Sequence, residues 1–314
     1  MTVTSAEALR WATTYLEGCG IASARLDAEV LLAHCVGWER TALYREPSYG
    51  LTSDEDTRFQ ALVERRGAHE PLAYLTGERE FWSLPFAIRR GVLIPRPDTE
   101  WVVETALRYA QQLLRTRLRC RVLDIGTGSG NIAVAVATSL EAIDVTAVDI
   151  SPVALEVAHR NAQSCQVAAR VQYVRGDCLG PFSPRRARFD LLLSNPPYIA
   201  AAEWPTLPTA VRCYEPHEAL DGGRDGLRFY RRLFAEGPQY IADDGIAIVE
   251  VGYRQAGDVS RLLVQSQQWE LLETVQDYSG IDRVVVAQHR REGSGSAWIT
   301  SKSKVGSNFT GTSA

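Results

Sequence analysis

Residues 122–133 read Val122-Leu123-Asp124-Ile125-Gly126-Thr127-Gly128-Ser129-Gly130-Asn131-Ile132-Ala133. An apolar run of strand length meets three glycines at alternate positions and passes into a helical stretch. Glycine accepts left-handed backbone and close approach, and the first amides of a helix point at whatever occupies the turn before it. The unit is therefore a strand, a ligand-cradling turn and a helix. Its spacing is Gly-x-Gly-x-Gly followed by Asn131. The dinucleotide fingerprint is Gly-x-Gly-x-x-Gly, whose third glycine packs helix on strand beside a pyrophosphate.

Outward from this turn the texture repeats. Strand candidates are 121–125, 144–149, 170–174, 189–194, 245–251 and 282–287, with helical stretches such as 152–164 and 225–234 between them. Near-continuous apolar strands alternating with helices imply a mostly parallel sheet covered on both faces. The expectation is an α/β, Rossmann-like domain over residues 86–290. Before it, residues 1–85 read as a small helical bundle. Thr4-Ser-Ala-Glu7 and Thr52-Ser-Asp-Glu55 are capping boxes. Leu9, Ala12 and Leu16 follow the first, and Phe59, Leu62 and Val63 follow the second. A helix carrying Leu26, Val30, Leu31, Ala33 and Cys35 is expected to stop at Gly37, and Val92-Leu93-Ile94 reads as a short β segment. Residues 291–314 are rich in Ser, Gly, Thr and Lys and are expected to be disordered. Asn308-Phe309-Thr310 matches a glycosylation acceptor by chance composition.

The bulk numbers narrow the function. The chain has 314 residues with 34 Lys and Arg against 38 Asp and Glu, a net charge of -4. Duplex-DNA binders neutralise phosphates with a basic excess, so DNA is not the expected partner. No apolar run approaches the roughly 18 residues that cross a bilayer, and Met1–Glu7 lacks a secretory pattern. Six cysteines, Cys19, Cys35, Cys120, Cys165, Cys178 and Cys213, form no Cys-x-x-Cys pair. Free thiols, no metal site and a cytoplasmic monomer are expected.

Three further residue groups carry chemistry. Asp149 ends the strand after the glycine turn, where a carboxylate can accept both hydroxyls of a ribose; a helix N-cap is the alternative, since Ser151-Pro152 opens a helix. Gly176-Asp177-Cys178 follows the third strand, where an adenine would be flanked. Asn195-Pro196-Pro197-Tyr198 ends the fourth. Prolines lack an N–H and have fixed φ, so the turn is rigid with carbonyls free to accept. The Asn195 side-chain oxygen and the Pro196 carbonyl can each take one hydrogen of an NH2 group, and Tyr198 offers a flat face. The glycine spacing suits S-adenosyl-L-methionine, and the turn suits a planar nitrogen. Such a nitrogen is a weak nucleophile, so positioning must supply most of the rate.

The chain resembles the HemK/PrmC family of protein-(glutamine-N5) methyltransferases over roughly residues 5–290. The resemblance is carried by Glu70-Pro-Leu-Ala-Tyr74-Leu-Thr-Gly77 with Phe81-Trp82, by Ile94-Pro-Arg-Pro-Asp-Thr-Glu100, by the Gly126–Gly130 turn, and by Asn195–Tyr198 with Glu215–Gly226. It implies a class I S-adenosylmethionine-dependent methyltransferase domain with a seven-stranded sheet. The implied substrate is the glutamine of the Gly-Gly-Gln loop of class I peptide-chain release factors, docked with help from the helical domain. It further implies that Gly126, Thr127, Gly128, Ser129 and Gly130 meet the methionine end of the cofactor and Asp149 its ribose. Asn195 would touch cofactor and substrate, and Asn195, Pro196, Pro197 and Tyr198 would hold the glutamine amide, with Asn195, Pro196 and Tyr198 catalytic. Arg96, Thr99 and Glu100 are expected near the site. The family often has a large aromatic where this chain has Cys178, so that position is expected to wall the adenine without stacking on it. The Asn-Pro-Pro-Tyr turn is shared with adenine-N6 nucleic-acid methyltransferases, which flip their base, and with relatives that methylate a ribosomal-protein glutamine. Both remain open readings, as does a binding protein that has kept the fold.

Overall fold

The computed structural model describes residues 2–184 and 189–290. The stretch expected to be a disordered tail, with Asn308–Thr310, lies outside them. Helix α1 (Ser5–Gly18) starts where the Thr4 hydroxyl accepts the Glu7 N–H and the Glu7 carboxylate accepts the Thr4 N–H. Thr52 and Glu55 repeat the device for α4 (Ser53–Gly67). Helix α2 (Ala24–Val36) ends at Gly37 in the left-handed region, while α3 (Ala42–Arg45) and α5 (Leu72–Thr76) are single turns. Leu16, Leu31, Leu32, Phe59 and Val63 close a core of their own. Leu26 is 45% exposed, on the opposite side of α2 from the inward Ala28, Leu31, Leu32 and Cys35.

Strands β1 (Glu78–Phe81) and β2 (Leu84–Ala87) form a hairpin whose Phe81 and Phe86 join the core under the main sheet. Its two-residue turn, Trp82-Ser83, has φ of 54° and 55°. The segment Val92–Ile94, expected as a β segment, pairs with no strand. The Val92 N–H donates to the Arg89 carbonyl at 3.2 Å, and side chains meet two further backbone groups. The Tyr74 hydroxyl donates to the Val92 carbonyl at 2.6 Å, and the Ile94 N–H donates to Glu215 Oε2 at 3.3 Å.

The larger unit runs α6 (Glu100–Leu113), β3 (Cys120–Ile125), α7 (Asn131–Ser139), β4 (Ile143–Asp149), α8 (Pro152–Ser164), β5 (Val171–Arg175), β6 (Phe189–Ser194), α9 (Thr209–Tyr214), α10 (Arg228–Glu236), β7 (Ile241–Glu250), α11 (Ala256–Ser266), β8 (Trp269–Gln276) and β9 (Asp282–His289). The seven strands lie in the order β5-β4-β3-β6-β7-β9-β8. The first five are parallel, and β9 is antiparallel to both neighbours. Chain order reverses between β3 and β6, which opens a crevice at their carboxyl ends. Helix α10 begins at Arg228, three residues later than the pattern at 225 suggests. Gly226 is left-handed, and the Asp225 carboxylate accepts the Leu227 N–H at 3.2 Å, making a turn there. Among the described residues no helix is long and apolar enough to cross a membrane, no cluster could hold a metal, and all six thiols are free.

Candidate active site

The glycine turn leaves β3 with Gly126, Gly128 and Gly130 at φ of 73°, 56° and 80°. The three differ in what they face. A Cβ on Gly126 would meet nothing within 4 Å, so this backbone is bare toward the cavity. A Cβ on Gly130 would sit 2.9 Å from Ala158 Cβ, so Gly130 lets α7 press against α8. Gly130 is accordingly absent from the cavity lining, while Gly126, Thr127, Gly128 and Ser129 belong to it. Beneath the turn, Thr127 donates its hydroxyl to Asp124 Oδ2 at 2.6 Å. Asp124 is fully buried, which pushes its pKa up to about 7, and its Oδ1 and the Ser129 hydroxyl have no hydrogen-bond partner. Asn161 fixes the turn from the side: its Nδ2 donates to the carbonyls of Ser129 (2.9 Å) and Ala87 (3.1 Å), and its Oδ1 accepts the Ala87 N–H. One buried amide thus clamps turn, α8 and hairpin together.

Asp149 is a strut as well as a candidate ligand. Its Oδ2 accepts the Gly128 N–H and its Oδ1 the Ser151 N–H, both at 2.9 Å. Burial raises its pKa, and those N–H groups oppose the rise. The N-cap role falls to Ser151, whose hydroxyl accepts the Ala154 N–H. Cys178 lines the cavity with a left-handed φ of 51°, and burial pushes its thiol up to about 12, so the wall it offers is neutral. Phe229 and Leu233 of α10 line the same cavity. Sequence reading missed both, because their apolar spacing is that of any helix facing a core.

At the end of β6, the Ser194 hydroxyl donates to the Ile125 carbonyl at 2.7 Å and ties the two strand ends across the crevice. Asn195, Pro196 and Pro197 line the cavity beyond it. Asn195 Nδ2 donates to the Thr99 hydroxyl oxygen at 3.0 Å. Tyr198 is outside the lining: the residue is half-buried against the core, and its hydroxyl points to Glu250 Oε1 at 3.4 Å. Glu250 is buried, its pKa pushed up to about 7, and its Oε2 has no partner. The loop carbonyl of Tyr198 accepts Gln255 Nε2 at 2.8 Å, and Gly226 lies so close to that carbonyl that a Cβ would fall 2.4 Å from it.

Of the three residues expected nearby, Arg96 and Thr99 line the cavity. Arg96 pairs with the buried Glu215 carboxylate. Glu100 does not line it; its carboxylate accepts the Trp82 N–H at 2.8 Å and locks the hairpin turn to α6.

One cavity of about 490 Å³ therefore joins the glycine turn, Asp149, Cys178 and the Asn195–Pro197 turn. That volume lies within the range of about 300–1,000 Å³ typical of small-molecule sites. Bare glycine backbone, an acid at the next strand end and a neutral, partly aromatic far wall fit an amino acid, a ribose and a base in that order. The sheet order, the reversed last strand and this cavity define a class I S-adenosylmethionine-dependent methyltransferase.

Residues 7–77 match the PrmC N-terminal domain and residues 104–209 the methyltransferase small domain. The release factor glutamine methyltransferase of Geobacter sulfurreducens is 43% identical over 277 residues, covering 88% of this chain and 94% of its own. That of Rhodopirellula baltica is 40% identical (89% and 94% covered), and that of Bacillus subtilis 37% (90% and 96%). The chain belongs to the release factor glutamine methyltransferase family.

Proposed function

We propose that this chain methylates the side-chain amide nitrogen of the glutamine in the Gly-Gly-Gln loop of class I peptide-chain release factors. The observation that carries the reading is that the Asn195–Pro197 turn and the glycine turn open into one cavity. When bound there, S-adenosylmethionine supplies a methyl group on a positively charged sulfur. The chain's own residues then act by holding. Backbone at Gly126–Ser129 receives the methionine end and Gly130 keeps that turn in shape. Asp149 accepts the ribose hydroxyls, and Cys178 walls the adenine. Asn195 Oδ1 and the Pro196 carbonyl accept the two amide hydrogens, which leaves the nitrogen lone pair perpendicular to the amide plane. Pro197 keeps the turn rigid, and Tyr198, half-buried beyond the cavity lining, offers its ring to the amide plane. Fixing a weak nucleophile in line can supply several kcal/mol of the barrier, up to about 7–11.

In this reading residues 1–85 help dock the release factor, residues 86–290 carry the chemistry, and the enzyme acts as a cytoplasmic monomer on protein rather than DNA. Enzyme, labelled S-adenosylmethionine and a release factor should give one methylated peptide, the one containing Gly-Gly-Gln. Label that persists when that glutamine is changed to alanine overturns the assignment. Hydrogen exchange on the complex should show protection in α1–α5; protection confined to the larger domain removes the docking role.

A further inference from the structure

Pro95, Arg96 and Thr99 line the cavity, and the regular structure around them is a single 3-10 turn, Pro97–Thr99. Pro95 and Pro97 have no N–H to give, so side chains carry much of the task of holding this segment. Arg96 pairs with the buried carboxylate of Glu215. Asp98 pairs through Oδ2 with a terminal guanidinium nitrogen of Arg283 at 2.9 Å. Thr99 is 1% exposed, and its hydroxyl oxygen accepts Asn195 Nδ2 at 3.0 Å.

Arg283 belongs to β9, a strand with no residue in the cavity lining. Its carbonyl accepts the Val251 N–H at 2.9 Å, which puts it just past the end of β7, at the end of the sheet where the crevice opens. The side chain is 19% exposed and gripped at two points: Nε donates to Asp277 Oδ2 at 2.8 Å, while the terminal nitrogen reaches Asp98. Asp277 is itself fixed, since its Oδ1 accepts the Ser279 and Ile281 N–H groups at 2.8 and 3.0 Å. A guanidinium is planar and keeps its charge, so carboxylates at two of its nitrogens define its direction. The turn between β8 and β9 thus aims a rigid cation at the residue before Thr99. Thr99 in turn takes the Nδ2 end of the Asn195 amide, which leaves Oδ1 for a ligand.

We propose that Arg283 is a positioning residue: by holding Asp98 it sets the 97–99 turn, and through Thr99 it sets where the Asn195 amide stands. The reversed hairpin β8–β9 then serves the reaction without touching substrate or cofactor. The inference rests on the reading of Asn195 Oδ1 as acceptor for the glutamine amide.

The test uses the full-length enzyme below the melting temperature of every variant, with a release factor as substrate and calorimetry for S-adenosylmethionine binding. Arg283→Met removes the charge and the fork, and should lower kcat about 10- to 100-fold, the scale of a misplaced reacting group. KM for the release factor and Kd for the cofactor should stay within about threefold. Arg283→Lys keeps the charge opposite Asp98 and should recover kcat to within about fivefold of wild type. Asp98→Asn leaves Arg283 in place and weakens only the pair, and should lower kcat about 5- to 20-fold; it decides if Arg283→Met does not fold. Thr99→Val should match Arg283→Met, and the double variant should be no slower than the slower single one, because both act through Asn195. Glu273→Gln loosens the same hairpin from α6, where Glu273 Oε1 pairs with Arg108 at 2.6 Å, and should leave kcat within about twofold. Wild-type kcat in a folded Arg283→Met or in Asp98→Asn overturns the inference while release-factor methylation stands. So does a loss confined to KM, an equal loss in Glu273→Gln, or single effects that multiply in the double variant. A wild type that leaves the Gly-Gly-Gln glutamine unmodified overturns the functional reading, and this inference with it.

Discussion

Asp149 accepts the Gly128 and Ser151 N–H groups with one carboxyl group, and on the proposed reading the same carboxyl also takes the ribose hydroxyls. Asp149→Ala should therefore cost more than ligand contacts, since it also releases the glycine turn. A weakening of S-adenosylmethionine binding by about 10- to 100-fold in calorimetry is expected from loss of charge-assisted hydrogen bonds at about 1.5–3 kcal/mol each. A change under threefold removes Asp149 from the ribose. Glu250 gives a pH effect with a definite sign. Burial pushes its pKa up to about 7, above the ordinary glutamate value of about 4.5, so the folded state keeps its proton longer than the unfolded chain. That contribution is complete below about pH 4.5 and is lost as pH rises to about 7, amounting to about 3 kcal/mol at most. Asp124 acts in the same direction. Asp225, held near 2 by the Arg231 guanidinium, has its window below pH 4 and does not overlap. Glu250→Gln should flatten the fall in thermal stability between pH 5 and 7 without removing it; an unchanged slope contradicts the assignment. The residues with local signatures, Gly126–Ser129, Asp149 and Asn195–Pro197, were legible in the sequence as one cavity's lining. Asn161, Phe229 and Glu250 were not, and Thr99 was legible as a neighbour of the site but not as the partner of Asn195. Thr99 meets Asn195 across 96 positions, and no spacing rule reaches that far.

At the scale of elements, the sequence displayed what periodicity and capping control. Helix α8 begins and ends where its Ser-Pro start and apolar repeat indicate, and both capping boxes form. The hairpin at 78–87 was read as the end of the helical region, because a two-residue turn with both residues left-handed is normally marked by Asn-Gly or Asp-Gly. Here Trp82 and Ser83 hold it, since the Trp82 N–H is taken by Glu100 and its indole N–H donates to Ser139 at 3.1 Å. Strand β8 was not located because it is an edge strand: Trp269 alone is buried, and Glu270, Glu273 and Gln276 break the apolar pattern. Two predictions follow from the turn. Ser83→Gly should raise stability by about 0.5–1 kcal/mol, since Ser83 is exposed and glycine carries no Cβ into the left-handed region. Glu100→Ala should lower stability by about 1–2 kcal/mol through the orphaned Trp82 N–H, with kcat unchanged. Urea unfolding measures both, and a drop in kcat for Glu100→Ala at unchanged fold would move Glu100 into the site.

For the whole molecule, the join between the helical cluster and the sheet domain is ionic where the two cores are apolar. Glu70 has a carboxyl almost without exposure and accepts two hydrogen bonds from Arg65, at 2.9 and 2.8 Å, and a third from Arg90 at 3.0 Å. The Tyr214 hydroxyl donates to the Ala68 carbonyl at 2.7 Å, and the Arg90 guanidinium lies over the Tyr214 ring at 5.3 Å. Arg90 leads directly into Gly91–Arg96, one wall of the cavity. Glu70→Gln should cost about 1–3 kcal/mol and loosen that wall, seen as faster hydrogen exchange at 91–96. Unaltered exchange there would show that the join and the wall are independent. Arg65 and Glu70 lie within one helix end and its exit, yet the ionic join was not readable beforehand, because Arg90 and Tyr214 reach it from separate parts of the fold.

The Pro196-Pro197 turn has a consequence for how many times one glutamine can react. On the proposed reading two acceptors wait for two hydrogens, and prolines add no donor that could compensate for a missing one. A glutamine already carrying a methyl has a single N–H, so rebinding it would press a carbon against an oxygen that expects a proton. The turn counts to one: its geometry treats the monomethylated amide as finished, and the modification should accumulate as a uniform mark rather than a mixture.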